Sequence, residues 1–121
     1  MSRDHRLFLE DMLASSLKVL RYTEGLTLQG FLADERTYDA VLRNLEIIGE
    51  AAKHVPDDLR QTYPLVEWRR IAGLRDVLAH GYFGLEDETL WDIIQNEVPS
   101  LLEHLRLILT SSSGGSDEHI V

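Results

Sequence analysis

The apolar residues of this chain recur at the spacing of an α-helix, and this period limits the folds open to it. After Asp34, apolar side chains stand three or four positions apart from Tyr38 to Ala52, which places them on one helix face. Three further segments share the period, residues 3–21, 65–80 and 86–109. No segment shows the two-residue alternation of a half-buried strand. We therefore predict an all-α fold, a bundle of four main helices with short connecting helices.

Local signals predict where these helices begin and end. Gly25 ends the first helix, and the segment "TLQGFLAD" that follows forms one small helix. Asp34 is the predicted N-cap of the second helix, which Pro56 stops. The segment "PDDLRQTYP" then forms a connector of one or two helical turns. Gly81 stops the third helix, and Pro99, which lacks a backbone donor, is expected to bend the fourth.

The chain has the length of a single domain, to which we assign residues 1–110. Residues 111–121, "SSSGGSDEHIV", are mostly small and polar, so they are predicted to form a flexible tail. No run of about 18 apolar residues could span a membrane and no signal peptide is recognisable, which predicts a cytoplasmic protein. Cysteine is absent, which excludes disulfides, thiolate metal ligands and cysteine nucleophiles.

The charge of the chain is acidic overall but uneven along the sequence. With 12 Lys and Arg against 21 Asp and Glu, the formal net charge is −9, which argues against general binding to polyanions. Residues 60–82 nevertheless hold four arginines and two acidic residues, whereas residues 84–121 hold one arginine and eight acidic residues. Any anion site is therefore expected in the first window, which contains the adjacent pair Arg69 and Arg70.

The stretch "RDVLAHGYF", residues 75–83, concentrates the candidate chemistry. On a regular helix Arg75 and His80 stand about 140° apart around the axis and about 7.5 Å apart along it, so one face cannot present both. Asp76 and His80 are four apart and adjacent, so the carboxylate can hold an imidazole N–H. If these side chains converge with Tyr82, either the helix ends early or a second copy of the chain completes the site.

Each of these residues also has a purely structural interpretation, which the local sequence leaves open. A histidine in the last turn before a glycine is ordinary helix-stop chemistry, because a cation is favoured at the negative end of the helix dipole. Arg75 is also explained by an ion pair with an acidic neighbour. Tyr82 is also explained as an amphipathic anchor at the end of the helix.

A second segment, "LEIIGEAAK" at residues 45–53, carries a glycine inside a predicted helix. Gly49 costs about 1 kcal/mol there relative to alanine, so it predicts a close approach to another helix. Glu46 and Glu50 share a face, and Glu50 stands three residues before Lys53, which is typical of a solvated helix face. We predict neither a metal site beside these two carboxylates nor a cofactor.

The segments "LEIIGEAAK" and "YPLVEWRRIAGLRDVLAHGYFGLEDETLW" resemble the HEPN-type toxins of the HepT family. The resemblance extends from "HRLFLEDML" to about "VPSLLEHL", which is most of the chain. Its most specific part is the R-x4-H-x-Y motif, taken together with the glutamate-rich second helix and the "IGEAAK" block. The resemblance implies a HEPN-like helical bundle.

The resemblance also implies an activity and partners. It implies a metal-independent endoribonuclease that acts as a homodimer, with two R-x4-H motifs lining a cleft between subunits. Arg75 would stabilise phosphate charge, His80 would act as general base or acid, and Asp76 would orient His80. The products would be a 2′,3′-cyclic phosphate and a 5′-hydroxyl. Arg69 and Arg70 are predicted as further RNA contacts because they lie in the basic window, not because of the resemblance.

In this resemblance the tyrosine of the R-x4-H-x-Y motif is a regulatory site. Tyr82 matches the tyrosine to which a minimal nucleotidyltransferase antitoxin of the MntA type transfers AMP from ATP. The added anion would block an anionic substrate, so the two proteins would form a toxin-antitoxin system. The resemblance also leaves open a larger hetero-oligomer of the antitoxin with the toxin dimer. The alternative is a non-catalytic helical dimer in which Arg75 and His80 only bind a nucleotide or a partner protein.

Overall fold

The computed structural model is all-α, as the sequence predicts. It describes residues 1–79 and 85–120, with side chains for residues 1–78 and 85–111. Within this part of the chain there is no strand. The helices are α1 (Arg3–Thr23), α2 (Leu28–Ala33), α3 (Glu35–Lys53), α4 (Asp57–Thr62), α5 (Trp68–Ala79), α6 (Asp87–Asp92) and α7 (Val98–Ile120).

The predicted starts of α2 and α3 are confirmed by hydrogen bonds at their N-caps. The Asp34 side chain accepts from the backbone N–H of Thr37 at 3.2 Å and from the Thr37 hydroxyl at 2.8 Å. The Thr27 hydroxyl accepts from the backbone N–H of Gly30 at 3.0 Å. The two bonds from backbone N–H groups satisfy donors that the first helical turn leaves without a partner. Gly25, after α1, has a φ of +77°, a left-handed conformation that favours glycine.

Helix α3 is the centre of the bundle because it packs against α1 on one side and against α5 on another. Helix α7 lies against α1, and the short α2 lies against α3. The apolar faces that the sequence predicts meet in a single core, and burying each of these side chains contributes about 1.5–3 kcal/mol. Its most enclosed members are Leu9, Met12, Val19, Phe31, Val41, Leu45, Ile48, Ile94, Leu105 and Ile108.

Pro99 acts differently from the simple bend that the sequence predicts. The chain forms a π-helical segment, Ile93–Glu97, between α6 and α7. Within it the backbone N–H of Val98 donates to the carbonyl oxygen of Ile93, five residues earlier. Because proline lacks an N–H and its ring crowds the carbonyl four residues before it, the wider turn relieves the conflict without ending the helix.

Two boundaries differ from those predicted. Helix α5 begins at Trp68 rather than near Leu65, because Trp68 turns inward and its indole N–H donates to the carbonyl oxygen of Tyr63 at 3.0 Å. Leu65 before it is 82% exposed. The backbone of α7 continues to Ile120, into the segment that we assigned to a tail; the flexibility of that segment stays a prediction. In the described part of the chain, no helix has the length and apolar character needed to cross a membrane.

Candidate functional site on the α3 and α5 face

Helices α3 and α5 touch through their backbones at Gly49. A Cβ atom on Gly49 would stand 2.7 Å from the backbone nitrogen of Arg75 and 3.1 Å from the carbonyl oxygen of Ile71. Any side chain at this position would therefore collide with backbone atoms of α5. This confirms the prediction that Gly49 marks a close helix contact, and it fixes the backbone of Arg75 on the surface of α3.

The contact brings four charged side chains of α3 and α5 together. Arg75 Nε lies 3.2 Å from Glu50 Oε2, and Arg75 Nη1 lies 3.4 Å from Asp76 Oδ1. Lys53 Nζ lies 2.8 Å from the same Asp76 oxygen. The result is a chain of alternating charges, Glu50, Arg75, Asp76 and Lys53, which we call the α3–α5 charge cluster. Its side chains are between 35% and 54% exposed, so each remains open to a ligand from solvent.

The cluster sets the protonation of Asp76. The hydrogen bond that Lys53 donates is the main cause that holds the pKa of the Asp76 carboxyl below its usual value, and the positive charges of Lys53 and Arg75 act in the same direction. Asp76 is therefore a carboxylate near neutral pH. It can accept hydrogen bonds but cannot supply a proton.

Two residues beyond the cluster extend it toward α1. The second oxygen of Glu50, Oε1, lies 3.7 Å from His54 Nε2. The His54 ring in turn stacks on Phe8 of α1, with ring centroids 4.6 Å apart and planes inclined by 16°. Glu50 therefore contacts the guanidinium of Arg75 with one oxygen and approaches an imidazole with the other.

Glu50, Lys53 and His54 belong to the site, although the local sequence pattern did not predict them. We interpreted Glu50 and Lys53 as neighbours on one solvated helix face, but each pairs with a residue of α5 instead. The signal that could have found them is Gly49, because the residues that flank a helix crossing at Gly49 must face whatever α5 presents there.

The remaining predicted site residues have different positions. His80 and Tyr82 lie outside the described residues. Arg70 is exposed but paired, with Nη1 3.2 Å from Glu67 Oε2 and Nη2 2.9 Å from Glu97 Oε2. Arg69 is exposed and forms no ion pair with any residue that the structure describes.

Arg70 and Glu97 stand at the edge of a cavity of about 310 Å³ between α5, the π-helical segment and α7. Its walls are mainly apolar side chains that belong to the core, such as Ile48, Ile71 and Leu101. Burial raises the pKa of the Glu97 carboxyl, against the opposing effect of Arg70. This cavity does not include the α3–α5 charge cluster, and its lining offers little chemistry for an anionic substrate.

No group of three or more His, Asp or Glu side chains in residues 1–78 and 85–111 is arranged to hold a metal ion. The polar site that the described residues do form is the α3–α5 charge cluster with His54 and Phe8. The fold and this site define an all-α helical-bundle protein with an exposed arginine at a close helix crossing.

Comparison with known proteins assigns the family. The profile of the family described as Ribonuclease HepT-like matches residues 12–108. A protein of Methanocaldococcus jannaschii, named provisionally as an RNase, is 40% identical over 118 residues, 98% of each chain. A protein of Thermococcus cleftensis named as a probable ribonuclease HepT is 40% identical over 101 residues, 84% of this chain and 92% of its own. This chain belongs to the HepT-like ribonuclease family. No solved structure matches it.

Proposed function

We propose that this protein is a cytoplasmic, metal-independent endoribonuclease that acts as the toxin of a toxin-antitoxin pair. The observation that carries the proposal is the position of Arg75 in a chain of the HepT-like ribonuclease family. Its backbone is fixed against Gly49 and its guanidinium is held by Glu50, yet the side chain remains 44% exposed. An immobilised but accessible guanidinium suits the recognition of a phosphate.

In the proposed reaction a ribose 2′-hydroxyl attacks the adjacent phosphate. A bond forms between the 2′-oxygen and phosphorus, and the bond from phosphorus to the 5′-oxygen of the next nucleotide breaks. His80 removes the proton of the 2′-hydroxyl or supplies one to the departing 5′-oxygen, while Arg75 stabilises the charge that develops on the phosphate oxygens. The products are a 2′,3′-cyclic phosphate and a 5′-hydroxyl. Asp76, an acceptor near neutral pH, orients His80, and Arg69 and Arg70 are further RNA contacts.

The proposal includes a homodimer. Arg75 and His80 are five positions apart, and on a continuous helix this spacing turns the two side chains to different faces. Two copies of the chain placed side by side, with two R-x4-H motifs lining one cleft, would let an arginine and a histidine contact the same phosphate. A larger assembly with the antitoxin remains part of the proposal.

Regulation in this proposal acts on Tyr82. A minimal nucleotidyltransferase antitoxin transfers AMP from ATP to the phenol oxygen, which releases pyrophosphate and leaves a phosphodiester anion beside the site. The added negative charge and bulk would repel an RNA phosphate from Arg75.

The activity is tested by incubating the purified protein with tRNA in the presence of EDTA. We expect the wild type to cut the RNA and to leave cyclic-phosphate ends, and His80→Ala and Arg75→Ala to cut at least about a hundredfold more slowly. Intact mass spectrometry of the same sample shows whether it carries added AMP. Protein without added AMP that binds tRNA but does not cut it would favour the alternative, a non-catalytic binding dimer.

A further inference from the structure

A cavity of about 340 Å³ opens beside Arg75, between α1 and α3. This volume is within the range of sites that bind small organic groups, about 300–1,000 Å³. Its walls include the stacked pair Phe8 and His54, and also Glu50 and Arg75 of the charge cluster. The cavity is therefore continuous with the residue that the proposed reaction uses to bind phosphate.

One wall of the cavity is an aromatic surface. The nearly parallel rings of Phe8 and His54 form a double layer, in which Phe8 is partly buried against the core and the His54 side chain is 51% exposed. Such a layer holds His54 in a fixed plane while leaving part of the ring accessible. Flat rings of this kind are the surfaces on which proteins stack the bases of single-stranded RNA.

The charged side chains of the cavity disfavour any phosphate other than the scissile phosphate at Arg75. Its lining contains three carboxylates, Asp11, Glu46 and Glu50, together with two guanidiniums. Arg43 lies 3.9 Å from Glu46, and Arg75 lies 3.2 Å from Glu50. The 44% exposed side chain of Arg75 is taken by the scissile phosphate in the proposed reaction, so the lining has no guanidinium for another anion. An anionic group would meet the remaining negative charge, whereas a neutral group with N–H donors would find acceptors.

We infer that this cavity is a nucleobase subsite, in which the base next to the scissile phosphate stacks on His54 while its phosphate reaches Arg75. The inference rests on the proposed ribonuclease function. Glu50 links the phosphate position at Arg75 with the base position at His54. Its Oε2 lies 3.2 Å from Arg75 Nε, and its Oε1 lies 3.7 Å from His54 Nε2. The carboxylates favour bases that carry an amino group, so adenine, guanine and cytosine are preferred and uracil, which also stacks weakly, is disfavoured.

The first measurement is the rate of cleavage of substrates in which only one bond can be cut. DNA oligonucleotides containing a single ribonucleotide are prepared with adenine, uracil or no base at the position on either side of that bond. For the wild type we expect removal of the base on one side to lower kcat/KM at least tenfold, with uracil intermediate. The variants His54→Ala and Phe8→Leu should lose the preference, so that within each variant the kcat/KM values for adenine, uracil and no base differ less than threefold.

The second measurement does not depend on cleavage. Dinucleotides with a 2′-O-methyl group cannot be cut, and their binding is followed by the NMR signals of the His54 ring protons. We expect the adenine dinucleotide to shift these signals, with a Kd at least threefold lower than that of the uracil dinucleotide. A matched control is His104→Ala, because this histidine of α7 lines the cavity between α5 and α7 instead, and its loss should leave base preference and binding unchanged.

The outcomes separate the two ideas. If protein without added AMP binds the dinucleotide at His54 but does not cut RNA, the base subsite is supported and the ribonuclease function is contradicted. Cleavage that ignores the neighbouring base, or that keeps the same preference in His54→Ala and Phe8→Leu, would overturn the subsite and leave the ribonuclease standing. Absence of both cleavage and His54 shifts would overturn both.

Discussion

Gly49 of α3 lies directly against the backbone of Arg75 of α5, so closely that a Cβ atom on the glycine would be 2.7 Å from the arginine nitrogen. The next residue along α3, Glu50, holds the guanidinium of the same arginine at 3.2 Å. One crossing point therefore fixes both the backbone and the side chain of Arg75. Helix packing, rather than a surface loop, therefore sets the position of Arg75, the residue that we propose to bind the phosphate.

Gly49→Ala is expected to destabilise the protein by about 1–3 kcal/mol, because the added methyl group must push α3 and α5 apart. The free energy of unfolding from urea denaturation measures this. RNA cleavage by the surviving folded fraction should also fall, since the displacement moves Arg75 away from Glu50.

Gly73→Ala is the matched control for this substitution. Gly73 is also inside a helix, α5, but among the described residues a Cβ there would meet no atom within 4 Å beyond its chain neighbours and its own helix backbone. Alanine should therefore stabilise the protein by about 0.4–1 kcal/mol through its better helix propensity. Equal effects of the two substitutions would contradict the close crossing at Gly49.

The pKa of Asp76 is expected to rise toward its usual value, near 3.9, in Lys53→Met, because the hydrogen bond from Lys53 is the main cause that lowers it. NMR titration of the Asp76 carboxyl carbon measures the change. Asp34 is an internal control, since its lowered pKa depends on Thr37 at the opposite end of α3. A titration of Asp76 that is the same in both proteins would contradict the Lys53 contact.

The lowered pKa of Asp76 also predicts how stability depends on pH. In the pH range between the two pKa values the unfolded chain binds a proton at Asp76 more readily than the folded chain does, so this group makes stability rise with pH. Its contribution is fully present above the unfolded pKa and is lost as pH falls through the lower folded pKa. The difference in unfolding free energy between the wild type and Asp76→Asn should therefore be constant from about pH 7 to pH 5 and shrink below pH 4. A difference that grows on acidification would contradict this.

Arg69→Ala is expected to reduce the salt dependence of RNA binding more than Arg70→Ala does. Each phosphate neutralised on a single strand contributes about 0.7 to the slope of log K against log salt concentration. Arg70 is already held by Glu67 and Glu97, whereas Arg69 has no ion pair within the described residues. Slopes unchanged in both variants would place the RNA away from this end of α5.

Ser16→Ala is expected to stabilise the protein by about 1 kcal/mol. The Ser16 hydroxyl is fully buried and has no hydrogen-bond partner among the described residues, which leaves its desolvation uncompensated. Thr23→Val is the contrasting variant, because the Thr23 hydroxyl donates to the carbonyl oxygen of Val19 at 2.8 Å. Its removal should cost about 0.5–1.5 kcal/mol in the same denaturation experiment. Stabilisation by both substitutions would show that neither hydroxyl is paired.

The helices could be predicted because their signals are local. The N-caps at Thr27 and Asp34 act on backbone groups within three residues, and the left-handed turn at Gly25 depends on the missing side chain of that residue alone. The wide π turn before Pro99 could not be predicted, because a helix accommodates a missing backbone donor by bending, by ending or by widening. Which of these three conformations forms depends on the packing of the surrounding core.

The candidate site could be predicted only in part. The spacing in "RDVLAHGYF" drew attention to Arg75 and Asp76, and the glycine in "LEIIGEAAK" predicted a close helix contact. The sequence could not show that these two segments meet, so Glu50 and Lys53 were interpreted as partners of each other. Their real partners are on α5, 23 and 25 residues away along the chain.

The sequence by itself determined the all-α class, the starts of the helices to within a few residues and the close helix contact at Gly49. These follow from periodicity, capping and the size of one side chain, which are properties of short segments. Only the tertiary structure decided which charges neutralise Arg75 and Asp76, and that Phe8 of α1 stacks on His54 of α3. Such pairings depend on how whole helices are placed against one another, because the energy of an exposed ion pair or a ring stack is small and follows the packing of the core rather than directing it.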